Sequence, residues 1–205
     1  MPDSLRVKDY AVTAPAPLKG TRVAVIGKLD AGAAFVDDAK LQAIVREANT
    51  ADPDLVLLAG GYAGGIAPEA IAAHLARLEA PMGVFAVLGA DDGEMGRALE
   101  RAGIFVLRNF HIVIGTRRGP LLLAGLSAGE GRALSGLPDG TTLCLAHDAA
   151  ALEGLACDLA VAGHGAEAGL RQAGGKPLFI APAIRRQDWP ARLYTRPEIA
   201  LLRIQ

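Results

Sequence analysis

The chain has 205 residues, of which 51% are hydrophobic and 21% charged. That apolar content supports a buried core and excludes a disordered segment. Its 21 basic and 22 acidic residues leave a formal charge of −1, which excludes a basic nucleic-acid footprint. No apolar run reaches the roughly 18–20 residues that span a bilayer, and MPDSLRVKDYAVTAPAPLKG lacks the basic-then-apolar layout of a signal peptide. The expected partner is a small molecule, with no nucleic acid and no membrane. Cys144 and Cys157 sit in apolar stretches without metal-type spacing and fit reduced core thiols of a cytoplasmic protein.

In chain order, short β-type runs alternate with helical stretches, the pattern of parallel strands joined by crossover helices. Pro15, Pro17 and Gly20 set off a leading N-terminal strand. TRVAVIG (21–27) reads as a buried strand. A helix follows over 36–49, where Val36, Ala39, Leu41, Ile44, Val45 and Ala48 share a face. DLVLLAG (54–60) is the next strand, and Pro68 opens a helix through Leu78 at a first-turn position where its missing N–H costs nothing. MGVFAVLG (82–89) is a third strand, with a third helix over 94–102.

The second half is richer in strands. IFVL, HIVIGT and GPLLLAGLS lie close together with short turns, which suggests antiparallel pairing. TTLCLAH (141–147) and DLAVAGH (158–164) flank a short helix, and PLFIA (177–181) and EIALLRI (198–204) close the chain. No linker divides it, so one domain over 1–205 is expected, with two packed sheets and helices outside them.

Ligands of open α/β sheets bind beyond the carboxyl ends of the strands. Five such ends carry unusual residues here: Lys28 and Asp30; Gly60, Gly61 and Tyr62; Ala90, Asp91 and Asp92; His147 and Asp148; His164 and Gly165. In this order the segments resemble the calcineurin-like metallophosphoesterases, in particular their small bacterial phosphodiesterase-type members, over nearly the whole chain. The resemblance implies a four-layer α/β/β/α sandwich.

It also implies a dinuclear metal centre on motifs of the form GDxH, GDx, GNHD/E, a lone H and GHxH. This chain keeps those frames and changes their contents. GKLD (27–30) puts Lys28 and Asp30 at an Asp and a His ligand, and AGGY (59–62) puts Gly61 at the bridging Asp. GADD (89–92) puts Ala90 at the ligand Asn and Asp91 at the catalytic His, while Asp92 fits the motif. LAHD (145–148) keeps its ligand as His147, and GHGA (163–166) keeps His164 but has Ala166 at the last His.

A lysine ammonium in a metal subsite repels a divalent cation, and losing the bridging carboxylate removes the group that holds two ions together. The expected site is therefore metal-free, with no cofactor, and centred on Lys28. Asp30, Asp91, His147 and His164 surround it as candidate catalytic groups. Small residues in place of large polar ones clear a cavity of the kind small ligands use. That pattern suits deliberate redesign of such a scaffold or natural repurposing as a pseudoenzyme.

Lys28 has two readings: an amine that forms Schiff bases with carbonyl compounds, or a lysine held in a charge pair by Asp30. Asp91 is either a general base or, with Asp92, part of a cap on the next helix. Candidate substrate-binding residues are Gly61, Tyr62, Ala90, Ala166, Arg185 and Trp189, the last two as an anion- or aromatic-binding rim. Two alternatives stand beside the Schiff-base reading. One is a binding module without turnover; the other is a residual single-metal phosphoesterase using His147, His164 and Asp91.

Overall fold

A computed structural model describes residues 5–32, 36–62, 64–128, 137–184 and 197–205. The strands are β1 (Arg6–Val12), β2 (Arg22–Ile26), β3 (Leu55–Leu58), β4 (Val84–Ala86), β5 (Phe105–Val106) and β6 (Phe110–Thr116). They continue with β7 (Gly119–Leu126), β8 (Thr142–Asp148), β9 (Leu159–His164), β10 (Gly169–Ala173), β11 (Lys176–Ile180) and β12 (Glu198–Ile204). The helices are α1 (Asp38–Thr50), α2 (Pro68–Leu75) and α3 (Met95–Arg101). Two six-stranded sheets result, in the orders β1-β12-β2-β3-β4-β5 and β10-β11-β9-β8-β7-β6.

The strand sequences dictate this layering. In β2, Val23 and Val25 face the space between the sheets, where they meet Leu121, Leu123, Leu143 and Leu145 of the second sheet. Ala24 and Ile26 face the other way, onto Leu41 and Ile44 of α1. A strand apolar on both faces must be covered on both sides. Helices α1 to α3 cover the first sheet's outer face. Asp37 starts α1 by accepting a hydrogen bond from the Lys40 N–H at 2.8 Å, and His74 Nε2 in α2 lies 2.8 Å from Asp38 Oδ1, tying the first two helices.

The second sheet's outer face is covered differently. Among the described residues, its cover is a short 3-10 turn (Ala149–Leu152) with flanking segments. Cys144 and Cys157 lie in this outer apolar layer, and they form a disulfide rather than the expected free thiols. The reason is geometric. Cys144 on β8 pairs in register with Ala160 of the parallel neighbour β9. Cys157, just before β9, comes to a Cα separation of 5.9 Å, inside bonding range. The cytoplasmic expectation leaned on reduced thiols and loses that premise. Among the described residues no helix is long and apolar enough to cross a membrane.

Other pairings also depart from expectation. β5 and β6 belong to different sheets, so IFVL does not pair with HIVIGT, although β6 and β7 are antiparallel as expected. Between DLAVAGH and PLFIA, where no element is expected, EAGLRQAGG (167–175) supplies an edge strand, β10, hairpinned to β11. The leading strand β1 pairs in parallel with β12. It is pinned there by the buried Glu198 carboxylate, which accepts from Arg6 Nη2 at 2.6 Å and from the Tyr10 hydroxyl at 2.6 Å. Burial first, and the Glu198 hydrogen bond next, push the Tyr10 phenol upward.

At their C-terminal ends the two sheets come into backbone contact. A Cβ on Gly163 would lie 2.0 Å from the Ala59 carbonyl oxygen, and one on Gly27 would lie 2.9 Å from Ala181 Cβ. Only a glycine at position 163 permits that approach. Gly163→Ala should cost about 2 kcal/mol, typical of overpacking, read as a lower midpoint in urea.

Candidate functional site

Strand β2 leads into Lys28 and Asp30, both left-handed (φ 48 and 43) although neither is glycine. Such backbone costs about 1–2 kcal/mol per residue and persists only where neighbours fix it. Here the loop after β3 does so. Lys28 N–H donates to Gly60 O at 3.1 Å, Asp30 N–H to Gly61 O at 2.9 Å, and Ala31 N–H to Tyr62 O at 2.9 Å. Gly60 and Gly61 are themselves left-handed, with φ 80 and 74.

The β3 loop is held in turn by Asp92. This carboxylate is 2% exposed. Its Oδ2 accepts from Gly61 N–H at 2.8 Å and Gly89 N–H at 2.6 Å, and its Oδ1 from Tyr62 N–H at 2.7 Å. The expected cap of α3 is therefore not its role. The side chain turns away from that helix and ties the ends of β3 and β4 together. Asp91 beside it is exposed.

His147, from the second sheet, closes the arrangement. Its Nδ1 lies 3.1 Å from the Ala59 carbonyl oxygen. A carbonyl can only accept, so Nδ1 is the donor of this contact and Nε2 is left to face the crevice. A Cβ on Gly60 would sit 2.4 Å from this Nδ1, so Gly60 is what makes room for the ring. The point a Gly61 Cβ would occupy is 3.6 Å from both His147 Cε1 and Lys28 Cγ. The amine-bearing chain and the imidazole thus approach the same space, left open by glycine.

His164 is exposed. Its ring stacks toward His147 with centroids 6.4 Å apart, and its Nδ1 is 3.7 Å from Asp148 Oδ2. Asp148 is a polar partner outside the expected set of catalytic groups. The signal for it is the in-register pairing of strand ends, Asp148 opposite His164, which only the sheet order reveals.

The remaining predicted positions divide. Gly61 is at the centre, and Ala90 is exposed at the end of β4's loop. Tyr62, a candidate substrate-binding residue, is instead 1% exposed. Its hydroxyl lies within 3.1 Å of the Leu58 and Val87 carbonyl oxygens, so it is a core residue and cannot line the site. Burial, and next the Asp92 carboxylate, raise its phenol well above the ordinary range. Ala166 lines a cavity of about 940 Å³ on the second sheet's outer side, shared with Asp148, Leu152, Cys157 and Lys176. Arg185 and Trp189 lie outside the described residues.

The donor set does not fit a dinuclear metal centre. The β2 end brings an ammonium, the β3 end a glycine and the β4 end an alanine, while the Asp92 oxygens are already engaged by three N–H groups. Among the described residues no group of three or more His, Cys, Asp or Glu side chains is placed to hold an ion.

No protein-family model and no curated protein matches the sequence. Solved structures match in shape. TT1561 of Thermus thermophilus superposes with a TM-score of 0.54 at 16% identity, over 80% of this chain and 90% of that one. The phosphopantetheinyl hydrolase PptH of Mycobacterium tuberculosis does so at 0.50 and 12%, over 82% and 88%. The fold is that of the calcineurin-like phosphoesterases. At such identities the likeness is one of fold alone, and the strand-end residues must speak for the chemistry.

Proposed function

We propose that the crevice at the strand ends is a metal-free small-molecule site in which Lys28 supplies a reactive amine and His147 the proton-transfer group. The observation that carries it is the convergence of Lys28 Cγ and His147 Cε1, each 3.6 Å from the space at Gly61. The chemistry such a pair offers is condensation with an aldehyde or ketone. The unprotonated Nζ attacks the carbonyl carbon, and the oxygen leaves as water, with His147 Nε2 shuttling the protons. The protonated imine that forms is an electron sink for making or breaking an adjacent C–C bond.

Borohydride added with a small aldehyde should reduce that imine and fix one adduct on Lys28, seen by peptide mass mapping. Lys28→Met should lose it, and His147→Ala should slow its formation about 10²-fold, the lower end for acid–base assistance. A ligand-induced rise in melting temperature without any adduct would favour the site as a binding module. Hydrolysis of an activated phosphodiester that requires Mn²⁺ or Zn²⁺ and is lost in His147→Ala would overturn the reading.

A further inference from the structure

Among the described residues the two sheets have four edges, and three are blunted against pairing. β1 carries Arg6, Lys8 and Asp9. β5 is two residues long. β10 is short, with Arg171 ion-paired to Glu167. Charge and brevity are how sheet edges avoid joining other chains.

The fourth edge, β6, has neither device. Its seven residues, FHIVIGT, contain no Lys, Arg, Asp, Glu or Pro. Val113 at its midpoint is 64% exposed, and Phe105 beside it on β5 is 51% exposed. The ring of Phe105 lies 6.3 Å from that of Phe110, so apolar surface flanks the strand. A Cβ on Gly115 would meet nothing within 4 Å.

The hairpin to β7 turns at Arg117 and Arg118 and pairs Thr116 with Gly119. A two-residue turn closes on a hydrogen-bonded pair, and such pairs then alternate along the ladder. Phe110, Ile112, Ile114 and Thr116 therefore bond to β7. The N–H and C=O groups of His111, Val113 and Gly115 point off the sheet.

We infer that β6 is a dimerisation edge that pairs antiparallel with β6 of a second copy about a two-fold axis at Val113, joining two six-stranded sheets into one of twelve. In that register Val113 faces Val113 of the other copy, His111 faces Gly115, Ile112 faces Ile114 and Phe110 faces Thr116. The outward groups of the three alternate residues meet their mates in about six backbone hydrogen bonds. No like charges oppose one another. A strand that matches itself in this way fits an isologous two-fold contact, which commits the edge to a second copy of this chain.

Sedimentation velocity over a range of micromolar concentrations tests this. The full chain should run as a dimer, Val113→Lys as a monomer that keeps the folded far-UV circular dichroism but melts lower for want of its partner, and Leu170→Lys on the opposite edge as a dimer. The lysine variant puts two ammonium groups face to face at the axis, which opposes pairing. Amide exchange on the unaltered chain gives an independent reading. His111, Val113 and Gly115 should gain protection as concentration rises, while Ile112 and Ile114 should not change. A monomer at every concentration, or a dimer that survives Val113→Lys, would overturn the inference.

Discussion

Reducing the Cys144–Cys157 bond should lower stability by about 3 kcal/mol, the figure for closing a loop of this length in the unfolded chain; the cysteines are 13 residues apart. For a domain of this size that is roughly 6–12 °C in melting temperature, measured by calorimetry with and without a thiol reductant. Cys144→Ala with Cys157→Ala should behave like the reduced protein and lose its sensitivity to reductant. A melting temperature indifferent to both would mean that the two sulfurs are not bonded in solution.

The size of this effect follows from where the bond sits. The first sheet's outer face is roofed by three helices. The second sheet's outer layer, among the described residues, is a small cluster around Ala124, Cys144, Leu152 and Cys157. The disulfide spans the segment that carries His147, Asp148 and the 3-10 turn (Ala149–Leu152). Reduction should therefore free the end of β8 as well as destabilise the whole, and imine trapping at Lys28 should weaken in the reduced protein.

What was legible in the sequence is what periodicity encodes. β2, β3, β8, β9 and β12 are each built around an apolar run, and their elements fall where such runs require. The nearness of the β2 and β3 ends follows from their parallel pairing, whereas the approach of His147 depends on how the second sheet packs on the first. The burial of Tyr62 is not legible at a strand end that follows two glycines, because it depends on two carbonyls that its hydroxyl finds inside the fold. The disulfide is not legible in the cysteine spacing, because the proximity of Cys157 to Cys144 depends on which strand neighbours β8. β10 is not legible either, because GLRQA has no apolar alternation and only the hairpin with β11 makes it a strand. The tie made by Asp92 is tertiary in the same sense: its donors come from two different loops.

Replacing that carboxylate tests how the site is held. Asp92→Ala strands the N–H groups of Gly61, Tyr62 and Gly89, and each buried donor left without a partner costs about 1–3 kcal/mol. Partial access of water at Gly61, which is half-buried, offsets some of this. A loss of about 4 kcal/mol is expected in chemical denaturation. Asp92→Asn separates charge from geometry. Its one carbonyl oxygen can keep the Gly61 and Gly89 donors, but its amide then faces the Tyr62 N–H, donor against donor, for a loss of about 2 kcal/mol. The backbone consequence runs outward through the same atoms. Gly60 and Gly61 accept the N–H groups of Lys28 and Asp30, so a loop no longer fixed by Asp92 releases the left-handed turn that carries Lys28. Folded Asp92→Asn should thus form the borohydride-trapped adduct more slowly than the unaltered protein although no atom of Lys28 or His147 has changed. Equal rates would mean that the Lys28 turn is held by something other than the Asp92 tie.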